Sequence, residues 1–331
     1  MTRPVLHLAN GDHAAHAIAQ AGLGDVAIVW RDVLHDGPVQ DLDDDALARS
    51  RAAFIAAAGW GGEAAAAGAF AERDGRLQQA FSSPVELVLW FAPGLHDQLQ
   101  RLQVLARAAR CPGLEATICE AALPVQAGQL DRAALSAAFE RRSEAGPSAL
   151  ARALEGWLAF TDGDAGRVDR LLDADDCGSP LLDAAMRRWR EEFPALAGGL
   201  SRTERNVLEA LGRGVFRARE VYVAACHHAE EVAFQADVPF ASVLCRLSSG
   251  EAPLLSHPDQ RPVTMAALAA GERVFWNDSL LITRAGRECL AGYGDWMARA
   301  PPRWMGGVRL ERPAGWRWDA AANRMHRMQA G

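Results

Sequence analysis

Val5-Leu6-His7-Leu8-Ala9-Asn10-Gly11-Asp12 is the stretch on which the fold turns. A short run, apolar except for His7, meets an Asn-Gly turn, and an alanine-rich segment follows to Ala21. That reads as strand, tight turn and helix. Two later segments repeat the theme. Val26 to Trp30 is a continuous apolar run that passes into the polar loop Arg31-Asp32-Val33-Leu34-His35-Asp36-Gly37-Pro38. Val85 to Phe91 ends at Ala92-Pro93-Gly94, before a helix expected from about His96 to Arg110. A fourth, weaker strand is expected at Ala116 to Glu120. Strands that are apolar without alternation are covered on both faces, and helices between successive strands give the βαβ pattern of a parallel sheet. Residues 1–125 are therefore expected to form a three-layer α/β domain, Rossmann-like with a parallel sheet.

Beyond it, residues 126–199 read as a helical connector, with breaks near Gly146-Pro147 and Gly178-Ser179-Pro180. Ser201-Arg202-Thr203-Glu204 has the form of a capping box and opens a second domain. Helices at about Ala218 to Val232 and Phe240 to Leu247, then short strands near 253–257 and 280–283, suggest a winged-helix-like α+β domain over residues 200–292. An Arg/Trp-rich tail, 293–331, completes the chain. Asp41, Asp43, Asp44 and Asp45 crowd the start of a helical stretch running to Arg76, where acidic groups favour the helix macrodipole and a cation site is the alternative.

The 331 residues are 50% hydrophobic and 23% charged, ordinary globular composition for about two domains. The net charge is −7 and all 35 cations are arginine. Without lysine the chain forms no Schiff base, supplies no Walker-type phosphate lysine and uses no lysine base. Six scattered cysteines without a C-x-x-C pair indicate reduced thiols rather than a zinc ribbon or a disulfide framework. The first residues form neither a signal peptide nor a membrane span, so a cytoplasmic protein without membrane contact is expected. Nucleic acid is a disfavoured partner: residues 200–331 carry a net charge of only +3 against −10 for the rest, and the helix that would enter a groove has one cation, Arg246. A structural or docking role suits that domain better. His227 and His228, adjacent on a helix, face different ways and make a poor metal pair.

In open parallel sheets, ligands bind beyond the carboxyl ends of the strands. Three strands here deliver polar residues to that edge. The first brings His7, Asn10 and Asp12, the second Arg31, Asp32, His35 and Asp36, and the third His96, Asp97 and Gln98. Asp32, His35 and His7 are the catalytic candidates, because a His beside a carboxylate moves protons. Asn10, Asp12, Arg31, Asp36, His96, Asp97, Gln98 and Arg303 are the ligand-binding candidates, with Arg31 and the helix start after Asp12 suited to an anion. A His/Asp metal site is a further use of the same side chains. Each also has a plain structural use: Asp12 as a helix cap, Asp97 in a first turn, His7 as a hydrogen-bonded core residue, and the 31–36 loop as a self-satisfied set of ion pairs. Trp30, Trp90 and Phe91 wall a pocket or pack the core. The cluster has no evident nucleophile, Asn10-Gly11-Asp12 is not a dinucleotide fingerprint, and no cofactor is indicated.

Leu6-His7-Leu8-Ala9-Asn10-Gly11-Asp12, Val29-Trp30-Arg31-Asp32-Val33-Leu34-His35-Asp36-Gly37-Pro38 and Leu89-Trp90-Phe91 with His96-Asp97-Gln98-Leu99 together resemble the bacterial family called domain of unknown function 1835. Arg303-Trp304-Met305-Gly306-Gly307 and Trp316-Arg317-Trp318-Asp319 are similar to its companion, domain of unknown function 3658. The two likenesses cover nearly the whole chain. They imply a two-part arrangement and a site among these motifs, and no activity. At His96-Asp97-Gln98 the family pattern is loosely acidic followed by Gln-Leu, so His96 departs from it.

The functional expectation is an α/β domain that binds, and chemically transforms if it is an enzyme, a small anionic or phosphate-bearing metabolite. The alternatives are a ligand-sensing regulator whose winged helix contacts DNA and a non-enzymatic interaction scaffold. The tail, at +4 over residues 295–331 and bearing Trp304, Trp316 and Trp318, is expected to fold back beside the polar cluster, where Arg303 or Arg317 would join Arg31. Packing on the preceding winged helix is the alternative.

Overall fold

The computed structural model describes residues 3–174, 179–311 and 315–328, so Cys177 and the expected break at Gly178 lie outside it. Strands β1 (Val5–Asn10), β2 (Val26–Trp30), β4 (Glu86–Trp90), β5 (Thr117–Glu120) and β6 (Ser143–Glu144) form one five-stranded sheet in the order β2-β1-β4-β5-β6, while the short β3 (Gly37–Pro38) stands outside it. β1, β2, β4 and β5 pair in parallel, and β6 is antiparallel to β5. The chain is thus mixed α/β with a mostly parallel sheet. Strand alternation feeds two cores. Leu87 and Leu89 of β4 enter one, with Leu8, Ile28 and Ile118, whereas Val88 and Trp90 enter the other, with Ala9, Ile18 and Leu135. Both sets are apolar, which is why the strands read as unbroken runs.

Helix α1 (Gly11–Gln20) connects β1 to β2, and α2 (Asp44–Ala57) and α3 (Glu63–Phe81) carry the chain across to β4. The acidic cluster acts locally: the Asp43 carboxylate accepts from Ala46 N at 2.7 Å and caps α2. Helix α4 (Leu95–Arg110) follows β4. The connector holds α5 (Arg132–Glu140), α6 (Pro147–Thr161), α7 (Gly166–Asp173) and α8 (Pro180–Arg190), with β6 interrupting the expected helical run.

From Leu200 to Ala300 the chain builds a separate core. It contains α9 (Arg202–Gly212), opened by the expected capping box between Ser201 and Glu204, α10 (Ala218–Val223) and α11 (Asp237–Leu247). The helix expected to reach Val232 instead stops at Val223, widens into a π turn through His228 and becomes an irregular strap. β7 (Leu255–Ser256), α12 (Met265–Ala270), α13 (Glu272–Asn277), β8 (Leu281–Ile282) and α14 (Arg284–Leu290) follow, with β7 and β8 antiparallel. Within α11 only Asp237 is exposed. Trp60, just after α2, donates to Ser242 Oγ at 2.7 Å, and Arg246 pairs with Glu204 at 3.0 Å.

The tail folds back on the N-terminal part. β9 (Arg303–Gly306) runs parallel to β3, with Gly37 opposite Met305, and Val39 N donates to Gly306 O at 2.8 Å. β10 (Val308–Leu310) pairs with β9. The hairpin of β11 (Gly315–Asp319) and β12 (Arg324–Met328) lies on the connector, where Trp318 N donates to Pro194 O and Arg190 stacks over the Trp318 ring at 4.7 Å.

Candidate functional site

From β1 the chain turns to β2 on one side and later reaches β4 on the other, so the winding direction reverses between β1 and β4. Crevices at such reversals are the usual ligand sites of open parallel sheets. A cleft of about 580 Å³ lies there, lined by Asn10 to His13 after β1, by Ala92, Gly94 and His96 after β4, and by the 124–129 segment after β5. The strap from Glu230 to Ala236, with Tyr222 and His227, forms its other wall.

Local chemistry explains the shape. Gly11 takes φ +73° and has open space where a Cβ would point. Both helices that start at the cleft, α1 after Asn10 and α4 after Gly94, lack a side-chain bond from the cap residue, and in α4 the Asp97 carboxyl bonds its own first-turn N–H. At Gly94 a Cβ would come within 3.2 Å of Ala233 O, so a side chain there would push the strap away.

Asn10 and Asp97 join the two strand ends. Asn10 Nδ2 donates to Asp97 Oδ2 at 3.0 Å, and Ala92 N donates to Asp97 Oδ1 at 3.0 Å. Burial pushes the Asp97 carboxyl up to about 6 in spite of these bonds. Gln98 braces the same turn through Ala92 O at 2.7 Å. Asp12, at the rim, pairs with Arg31, which holds its carboxyl below the ordinary range. His96 lines the cleft, and burial lowers its pKa to about 3. His35 lies directly behind: its ring meets His96 edge-on at 5.6 Å and Phe234 at 5.1 Å, its Nε2 donates to Gln235 Oε1 at 3.1 Å, and burial lowers its pKa to about 4.

Other expected members are placed elsewhere. Asp32 and His35 form no acid/base pair, because Asp32 Oδ1 takes Arg51 Nη2 at 2.8 Å and Nε at 3.1 Å in a fully buried ion pair. His7 is committed on both nitrogens, donating to Leu23 O at 2.9 Å and accepting from Trp90 Nε1 at 3.0 Å, and it packs in the core rather than at the cleft. Asp36 accepts from the next backbone N–H, Gly37 N, at 2.8 Å. Arg303 does not meet Arg31. It donates to Glu192 O at 2.8 Å and lies among Arg246, Glu204 and Glu192, where burial and the Arg246 charge lower its pKa in spite of the two carboxylates.

Several members were not legible. Arg188 grips the strap, bonding Glu230 at 2.7 Å and stacking over Phe234 at 4.9 Å, and it pairs with Glu192 at 2.7 Å. Burial alone would raise Glu192, yet Arg188 and the Thr203 hydroxyl hold it at about 2. Gln100 carries the one signal that was available, a position four residues after His96 and therefore on the same helix face. Among the described residues no group of three His, Cys, Asp or Glu side chains is arranged to hold a metal ion. Among them, too, no helix is long and apolar enough to cross a membrane. No cysteine or serine lines the cleft. The chain matches no family model and no curated protein.

Proposed function

We propose that this protein binds a small anionic metabolite, carrying a phosphate or carboxylate, in the cleft between the ends of β1 and β4. The observation that carries the reading is the opening of two helix N-termini without side-chain caps, α1 and α4, into one cleft at the reversal of the sheet. Of the three acids that line the cleft, Asp12 is paired with Arg31 and Glu230 with Arg188, while Glu231 is exposed at the edge of the strap. Across the strap a second cleft of about 270 Å³ is lined by Arg187, Arg188 and Arg202 together with Glu191, Glu230 and Glu231. The strand order and two-sided covering support a Rossmann-like reading of the first part, and α9 to α11 with β7 and β8 support a winged-helix-like reading of the later one, in keeping with the two family resemblances. DNA contact is the weaker function, because α11, the helix that would enter a groove, is covered.

The test is to denature the purified protein and analyse what it releases by mass spectrometry, alongside the His13→Glu variant. His13 is exposed in the first turn of α1, where a carboxylate is compatible with the helix but repels an anion. A phosphorylated or carboxylated compound from the parent, depleted in the variant, is the expected result. Equal recovery from both proteins, or no thermal shift with inorganic phosphate, would remove the reading.

A further inference from the structure

Two imidazole nitrogens beneath the cleft are buried without a hydrogen-bond partner, His96 Nδ1 and His35 Nδ1. Their polarities are fixed by what the opposite nitrogens do. Gln100 Nε2 donates to the backbone oxygen of Asp32 at 2.8 Å, which sets the orientation of that amide, and the same NH2 group lies 3.1 Å from His96 Nε2. His96 Nε2 therefore accepts, and the ring's own proton sits on Nδ1. In His35, Nε2 stands 3.1 Å from Gln235 Oε1; with that oxygen as the acceptor the ring proton is on Nε2 and Nδ1 is a bare acceptor, an assignment that nitrogen NMR checks directly. A donor and an acceptor thus stand unmatched on two rings whose centroids are 5.6 Å apart.

Groups of this kind are rare in folded interiors, because a buried polar atom without a partner is destabilising. A single hydroxyl satisfies both, as a buried water would, since its oxygen accepts from one ring while its hydrogen goes to the other. We infer that His96 and His35 recognise a hydroxyl group of the ligand, so that the compound held at the helix N-termini is a hydroxylated anion such as a sugar phosphate or a hydroxy acid. The inference rests on the cleft being the anion site proposed above. His96 lines that cleft, and the His35 ring packs against three residues that line it, His96, Phe234 and Gln235. Burial also keeps both rings uncharged at neutral pH, so they act as hydrogen-bonding groups of fixed tautomer and not as cations. Gln100 is a positioning residue, holding the His96 proton on the correct nitrogen.

The experiment is nitrogen NMR of the full chain labelled at histidine, first alone and then with three probes: inorganic phosphate, propyl phosphate and glycerol 3-phosphate. The ring shifts should report His96 protonated on Nδ1 and His35 on Nε2, unchanged from pH 5.5 to 8. All three probes should shift the backbone signals of His13 and His96, in the first turns of α1 and α4. Only glycerol 3-phosphate should move both Nδ1 signals, and it should bind at least about 10-fold more tightly than propyl phosphate, the sense in which sites built for a hydroxyl reject its absence. Opposite tautomers, or equal binding of the two esters, would overturn the hydroxyl inference while leaving the anion site standing. Failure of every probe to bind would remove the anion site and the inference with it.

Discussion

Arg51 gathers the loop after β2 around one guanidinium. Besides Asp32 it donates to the backbone oxygens of Asp36 at 2.7 Å and Val33 at 2.8 Å, and it is 1% exposed. Removing one partner of a buried pair leaves an uncompensated charge, so Asp32→Asn and Arg51→Met should each lower stability by roughly 3–5 kcal/mol. Val88→Ala, a cavity in the core, should cost about 1–3 kcal/mol. Urea unfolding compares them, and a loss below that of Val88→Ala would return Asp32 to the functional candidates. The imidazoles make an acid-side prediction. His35 and His96 have folded pKa values of about 4 and about 3, below the unfolded value near 6.5. The unfolded chain binds more protons in that window, so their contribution is complete above about pH 6.5 and is lost as pH falls toward 4. Asp97, raised to about 6, acts in the opposite sense and favours the folded state between about pH 4 and 6 relative to neutrality. Two histidines against one carboxyl leave a net loss on acidification. His35→Gln should flatten the stability slope between pH 4.5 and 6 by about 1.4 kcal/mol per pH unit, one proton's worth, and an unchanged slope would show that His35 titrates normally.

At the scale of elements, the two-residue strand β3 holds the tail through a glycine. Gly37 has φ +79°, and a Cβ would stand 2.6 Å from Arg51 Nη1 and 2.5 Å from the Phe54 ring. Gly37→Ala should therefore lose about 1–3 kcal/mol from the backbone alone, with the clash adding to it. Thermal unfolding checks this, and a variant as stable as the parent would mean that the loop relaxes freely. β1, β2, β4 and α4 lie within a residue or two of where the sequence puts them, because apolar runs end there at Asn-Gly, Arg-Asp and Pro-Gly boundaries. β6 was illegible: Ser143 and Glu144 are exposed and carry no apolar signature, and only the free edge of β5 makes them a strand. The site divides in the same way. Its position follows from strand ends in a parallel sheet, which sequence reveals. The partner of Asp32 does not, since His35 and Arg51 were both available and tertiary packing chose the residue 19 positions away on α2.

Across the whole molecule, one apolar cluster runs from Leu8 through Trp157 and Trp189 to Trp318 and Met325, so sheet, connector and tail share a core. Limited proteolysis within 125–200 should accordingly fail to release two folded halves. Deleting residues 301–331 removes the backbone partners of Val39 and Phe160 and should lower the melting temperature by at least about 5 °C, whereas an unchanged transition would make the tail an appendage. The pairing of β3 with β9 also has a consequence in time. Gly37 leaves the ribosome well before its partner Met305. A chain synthesised from its N-terminus must hold the edge of β3 and the apolar residues behind it uncovered until the intervening residues have been made. Nascent chains stalled before residue 300 should therefore be the species that chaperones retain, and release should coincide with the emergence of β9.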